Sequence, residues 1–165
     1  MKKIRIFALV AALLMIMTAF TGCFAPQEKK FSKAGMTITL DSSFHEKDIV
    51  SQTAMYMSND ILVTVVKEEF SLFENLDIDP EEYSITDYAE LIVANNKFED
   101  VNIETKDGLT GFVFENDANG KTYKYSAYVF KGSDAFWLFQ IAVIAKDYDK
   151  HAEQIKTIAK SIVVE

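Results

Sequence analysis

Cys23 is the only cysteine in this chain. No disulfide can staple the fold, so the burial of apolar side chains must hold it unaided. Arginine is equally scarce: Arg5 stands alone, and every other strong base is lysine. Nucleic-acid recognition rests on basic patches and bidentate arginine contacts, which a chain of formal net charge −8 does not offer. The two histidines, His45 and His151, form no HExxH pair, and a zinc site needs three or four ligands. The six glycines build no phosphate-cradling loop. Ser133, in Gly132-Ser133-Asp134, lacks the G-x-S-x-G elbow that exposes a nucleophile. These absences leave no enzymatic signature and imply no cofactor.

What is present begins with a three-part leader. Lys2, Lys3 and Arg5 form a basic start, residues 6–17 are apolar, and Thr18-Ala19-Phe20-Thr21-Gly22 leads to Cys23. That is the layout of an export signal over residues 1–22, and its apolar stretch falls short of the roughly 20 residues a spanning helix needs. The run Phe20-Thr21-Gly22-Cys23 resembles the bacterial lipobox, with Phe20 where Leu, Val or Ile is usual. The resemblance implies cleavage before Cys23 and attachment of acyl chains such as palmitate to it. Buried methylenes contribute roughly 0.8 kcal/mol each, so two chains anchor stably where one is marginal. The expected location is the extracytoplasmic face of a membrane, held by lipid on Cys23. Residues 24–30 (FAPQEKK) read as a short tether, with a reach near 25 Å. The leader carries three bases and no acid, so the remainder of a chain of net charge −8 carries −11.

Residues 31–165 read as one globular domain. Met36-Thr37-Ile38-Thr39-Leu40 alternates as a half-buried strand does, and residues 53–57 form a second. Residues 61–66 are apolar on both faces, as in a central strand. Residues 70–82 mix aromatics, acids and Pro80 and predict an irregular connection or a short helix. Ser84-x-x-Asp87 fits a capping box, and Tyr88, Leu91, Ile92 and Asn95 extend it as a helix over 85–97. Asp107-Gly108, Asn119-Gly120 and Gly132-Ser133-Asp134 are hairpin turn signals. They separate four strands, 101–105, 109–115, 121–131 and 135–145, in an antiparallel meander. A last helix over 148–162 carries Tyr148, Ala152, Ile155, Ala159 and Ile162 on one stripe. Asp147 or Asp149 is placed to cap its start.

Several of these segments resemble the PsbP-like fold. The residues are Gly35-Met36-x-Ile38-x-Leu40, Val63-x-Val65-x-Lys67-Glu68, Tyr88-Ala89-x-Leu91, Phe136-Trp137 and Ser161-Ile162-x-Val164. That group includes the extrinsic PsbP subunit of photosystem II, a Ran-binding nuclear import factor and many bacterial lipoproteins. The resemblance implies an α+β fold, a meander-rich antiparallel sheet with helices on both faces, acting as a non-catalytic accessory or binding module. The shared positions are structural, so no functional residue is carried over.

Two candidate sites follow from the residues. Asp77, Asp79, Glu81 and Glu82 form an acidic run able to offer oxygens to Ca²⁺. The EF-hand pattern, however, needs Gly and Glu where Glu82 and Tyr88 stand, and a solvated acidic loop is the simpler reading. Tyr123, Tyr125, Tyr128, Phe130, Phe136, Trp137 and Phe139 gather on two neighbouring strands. They serve either core packing or an aromatic-lined cleft, or both, with one sheet face partly open beneath a helix. The expected partner is a membrane-associated protein; a small ligand or Ca²⁺ is the alternative.

Overall fold

The computed structural model describes residues 27–73 and 78–165. In chain order the strands are β1 (Glu28–Lys33), β2 (Met36–Asp41), β3 (His45–Glu46), β4 (Ala54–Met57), β5 (Leu62–Glu69), β6 (Glu104–Lys106), β7 (Leu109–Ala118), β8 (Lys121–Lys131), β9 (Ala135–Ile144) and β10 (Val163–Val164). The α-helices are α1 (Ile85–Asn96) and α2 (Tyr148–Lys160). Seven strands form a large antiparallel sheet in the order β3-β4-β5-β9-β8-β7-β6, and β1, β2 and β10 form a small one. The expected leader, residues 1–22, and Cys23 lie outside the described residues.

Turn chemistry builds the meander. Asp107 and Gly108 (φ 54° and 79°) join Lys106 to Leu109, and Asn119 and Gly120 (φ 53° and 73°) join Ala118 to Lys121. Two consecutive left-handed residues make the type I′ turn, whose twist matches the flanking strands. The third turn closes where Gly132 N–H donates to Ala135 O at 2.8 Å. Residues 101–103 are not strand as expected; only Glu104–Lys106 pair with β7. Val101 and Ile103 pack instead against the aromatic core from an irregular segment.

Strand β9 lies between β5 and β8 and is covered on both faces, as its unbroken apolar run predicts. Trp137, Phe139, Ile141 and Val143 face one core, with Met36, Ile38, Leu40, Ile155 and Ile158. Phe136 and Leu138 face a second, with Phe73, Tyr88, Ile92, Phe112 and Phe114. The small sheet and α2 cover the first face and α1 covers part of the second. The expected α+β arrangement, a helix on each side of an antiparallel sheet, is the one observed.

Helix α1 starts at its capping box: Ser84 Oγ accepts from Asp87 N–H at 3.1 Å, and Asp87 Oδ2 accepts from Ser84 N–H at 2.9 Å. Its buried stripe is Tyr88, Ala89 and Ile92; Asn95, expected on that stripe, is exposed. Helix α2 buries Ile155, Ile158 and Ala159. Asp147 stands at its N-cap without capping it, because its carboxylate is taken by Lys150. That lysine holds the Asp147 carboxyl below its ordinary range.

The small sheet departs most from the sequence reading. Strand β1 begins at Glu28 and pairs with β2 through Lys33, so residues 28–30 belong to a strand and not to a tether. Strand β10, which the pattern did not show, pairs with β2. Glu165 then bridges two turns: its N–H donates to Gly35 O at 2.9 Å, and its O accepts from Ser133 N–H at 3.0 Å.

Candidate functional site: two clefts and an acidic loop

The acidic run does not converge. Asp79 Oδ1 accepts from Glu81 N–H at 2.9 Å, a local turn bond, while Glu81 and Glu82 are exposed. Asp77 lies outside the described residues. Among the described residues no three His, Cys, Asp or Glu gather as a metal-ligand set. Lys131 Nζ sits on the loop instead, donating to the carbonyls of Glu81 at 2.8 Å and Tyr83 at 2.9 Å. An ammonium thus already occupies backbone oxygens of this loop and ties it to β8.

The two histidines are apart in role as well as in sequence. His45 is exposed on β3, and His151 Nδ1 is 3.4 Å from Gln154 Oε1. Ser133 is exposed in its turn.

The strand aromatics divide by face. Phe136, Trp137 and Phe139 are fully buried, and Tyr128 and Phe130 pack at the margin of the first core. Tyr125 stacks on Phe114 with ring centroids 4.7 Å apart, and beyond it the sheet face opens. Here a cleft of about 710 Å³ has a floor of Met57, Leu62, Tyr123, Tyr125, Ala142 and Ile144. The register explains it: Leu62 and Tyr125 both neighbour Ala142, and Tyr123 neighbours Ile144, so these residues form rows on one face past the end of α1. Asp60, Asp147, Lys150 and His151 edge the cleft. Burial, then the neighbouring Tyr123, pushes the Tyr125 hydroxyl above its ordinary pKa, so it stays a donor. Sequence reasoning marked both tyrosines. It did not mark Met57, Leu62 or the turns that complete the cleft, because those come together only through strand register.

A second cleft, of about 520 Å³, lies on the opposite face between α2 and the β6–β7 hairpin. Leu109, Gly111, Val113 and Tyr128 form its sheet side and Ala152 and Lys156 its helix side. Gly111 is required here, since a Cβ would stand 2.3 Å from Ala127 O and 3.0 Å from the Tyr128 ring. Ser126 Oγ, buried in its floor, bonds to Tyr148 OH at 2.7 Å. Burial and then Tyr148 raise the Tyr128 hydroxyl above the usual tyrosine range, opposed by Ser126 and Lys156. Lys156 Nζ meets Asp107 Oδ2 at 2.6 Å across the mouth. Both clefts fall in the size range of small-molecule sites.

The layered arrangement defines the chain as a protein of the PsbP/Mog1 fold, as the sequence resemblance implied. No protein-family model and no curated protein matches the chain. Among solved structures it is similar to cyanobacterial PsbP (CyanoP) from Synechocystis sp. PCC 6803, at 12% identity and TM-score 0.56, over 87% of this chain and 96% of that one. The Ran-binding protein Mog1p of Saccharomyces cerevisiae is similar at 11% identity and TM-score 0.51, over 85% and 96%. A protein of Bacteroides thetaiotaomicron VPI-5482 is similar at 13% identity and TM-score 0.55, over 84% of this chain but 49% of its own. The chain spans about half the length of that protein. Likenesses at this identity establish the fold, and function must be argued from the surface.

Proposed function

We propose that this chain is an extracytoplasmic accessory protein, anchored by lipid on Cys23, that docks on a membrane-associated protein and performs no catalysis. The observation that carries the docking reading is where the aromatic cleft lies. Glu28, the first residue of β1, pairs with Asp41. Asp41 Oδ2 accepts from Gln154 Nε2 at 3.0 Å, and Gln154 neighbours His151, which edges the cleft. Glu28 and the rim of the open aromatic face are therefore joined through Asp41, Gln154 and His151. The five Cα steps from Cys23 to Glu28 span at most about 18 Å, so an anchor there keeps the cleft close to a bilayer surface. Tyrosine with aliphatic neighbours inside a charged rim is the composition of an interface centre. No described helix is long and apolar enough to cross a membrane.

The reading is tested on intact cells by placing a photo-crosslinking residue at Tyr123 and analysing the products by mass spectrometry, with Cys23→Ala as control. A reproducible membrane-protein adduct that disappears in the control supports anchored docking. Adducts that are unchanged in the control remove the anchor from the argument, and none at all removes the docking face.

A second reading, a small-ligand-binding lipoprotein, is favoured by the cleft beside α2, whose Ser126 bonds to Tyr148 in a part-buried hydroxyl pair. Ca²⁺ on the acidic loop is the cation form of that reading. Calorimetry decides it, since no heat at millimolar calcium discards the site.

A further inference from the structure

Among the described residues, the outer edge of β7 lacks a partner along most of its length. Strand β6 pairs only with Leu109, Thr110 and Gly111, whereas β7 runs on to Ala118 and pairs with β8 throughout. Hairpin geometry tells which backbone groups this leaves over. In a two-residue hairpin the residues flanking the turn form a hydrogen-bonded pair, and bonded pairs then alternate along the ladder. Lys106 and Leu109 flank one turn, so Leu109, Gly111, Val113, Glu115 and Asp117 direct their N–H and C=O groups away from β8. Ala118 and Lys121 flank the other, so Ala118, Asn116, Phe114 and Phe112 direct theirs toward β8. The two turns give the same parity independently. Val113, Glu115 and Asp117 thus present outward peptide groups with no strand beside them, and all three residues are exposed. No turn or loop backbone bond reaches them among the described residues. A groove of about 510 Å³ separates Val113 and Glu115 from the segment Lys97–Val101, so the space beside the edge is open.

We propose that this edge binds an extended, lysine- or arginine-bearing peptide segment of a protein partner by strand addition, which names the partner chemistry for the accessory reading on which it rests. An unpaired edge is a template for any strand, so charge must choose. Glu115 and Asp117 lie on the edge itself, and Glu99 and Asp100 lie across the groove. Lys124 approaches Glu115 only to 3.8 Å, and Lys97 borders the groove. A second copy of this chain fits badly. Antiparallel pairing about Glu115 sets Glu115 against Glu115, and like charges directly opposite destabilise a sheet pair. A basic strand meets the same acids favourably. Val113, 42% exposed, offers the apolar contact beside them.

The test uses the purified chain carrying Cys23→Ala and the fluorescent peptides acetyl-KVKVK-amide and acetyl-EVEVE-amide, read by anisotropy. Saturable binding of the basic peptide, at least about ten-fold tighter than the acidic one, is the expected result. Proline is tolerated on an edge where its missing N–H faced solvent. Val113→Pro and Glu115→Pro should therefore melt like the parent yet weaken the basic peptide about ten-fold. Asn116→Pro, which removes a bond to β8, should lower the melting temperature. The double variant Glu115→Lys/Asp117→Lys, which keeps every backbone group, should reverse the peptide preference. Equal binding of both peptides, no binding at millimolar peptide, unaltered binding in the proline variants or a stable dimer in sedimentation would each overturn the proposal. Peptide binding without a cellular adduct at Tyr123 would leave the edge standing and remove the docking face.

Discussion

On one side of β9, Trp137, Phe139, Ile141 and Val143 meet the small sheet and α2; on the other, Phe136 and Leu138 meet α1 and the segment around Phe73. The first side is filled mainly by branched and straight aliphatics, among them Ile38, Leu40, Val63, Val65, Ile155 and Ile158. It is closed by the first and last described strands, β1 and β10, paired on either side of β2. The second side is a set of rings: Tyr88 stacks on Phe136 at 4.6 Å, Phe98 on Phe114 at 4.3 Å, and Phe114 on Tyr125 at 4.7 Å. That row runs off the end of α1 into the open cleft. Interlocked aliphatics lose their contacts wherever a gap appears, so such a layer must be sealed. Stacked rings keep much of their contact at an open boundary. Sealed except at the cleft between α2 and the β6–β7 hairpin, the aliphatic layer is the one that bears stability, and the ring layer is the one whose aromatic row opens into a cleft.

The sharpest way to break that comparison is Ile155→Asp. Ile155 is 2% exposed in the sealed layer, and an unpaired carboxylate there finds no partner among its aliphatic neighbours. A loss of about 5 kcal/mol or more is expected, enough to abolish the cooperative melt. A melting curve like the parent's would remove α2 from the stability-bearing layer. Phe136→Ala probes the other side from the adjacent strand position. Phe136 is fully buried against Phe73 and Tyr88, and deletion of such a ring costs about 3–5 kcal/mol. Denaturant unfolding should still be cooperative, with a lower midpoint. If the loss exceeds that of Ile155→Asp, the two layers have been assigned the wrong way round.

Tyr56 marks a flaw in the sealed layer. It is fully buried against Phe31, and its hydroxyl has no hydrogen-bond partner among the described residues. Burial, then the charge of Glu46, raises its pKa from 10.0 to about 12. The folded state therefore holds the proton more tightly than the unfolded one. Its contribution is complete below pH 10 and is lost as pH climbs through that window. Tyr56→Phe should raise stability at neutral pH by about 1 kcal/mol, since an unsatisfied buried hydroxyl is removed with little change of shape. It should also flatten the fall in stability between pH 10 and about 12. Chemical unfolding at pH 7 and pH 11 measures both.

How much of this was legible depended on how local the signal is. Asp107-Gly108 and Asn119-Gly120 specify their turns through their own backbone preferences, and the meander they delimit is observed. Ser84 and Asp87, three residues apart, likewise specify the start of α1. Strand β1 was missed because only Phe31 in EKKFSK is buried. What makes it a strand is β2, reached only through the Ala34-Gly35 turn. Strand β10 is two residues long and is held by Met36 and Thr37, far away in sequence. The site divides in the same way. Tyr123 and Tyr125 could be named from the sequence, while the cleft they line needs Leu62 placed beside Ala142 by register. The free edge of β7 needed the length of β6, which the sequence pattern overstated.

The smallest expected effect lies on the ring side, at the capping box of α1. Ser84→Ala removes the hydroxyl that accepts from Asp87 N–H at 3.1 Å, and loss of such a cap costs about 1 kcal/mol. For a chain of this size that is a fall of about 2–4 °C in melting temperature. Helix α1 should stay in place, because Tyr88, Ala89 and Ile92 still anchor it to the sheet. The pH dependence separates the cap from packing. Hydrogen bonds from the Ser84 side chain and backbone hold the Asp87 carboxyl below its ordinary value of 3.8. A lowered carboxyl contributes stability above that value, and the contribution is lost as pH falls through the folded-state pKa. The parent should therefore lose more stability on acidification past about pH 4 than Ser84→Ala does. If the two acid limbs run parallel, the reciprocal bond between Ser84 and Asp87 contributes nothing in solution, and α1 is held by its rings alone.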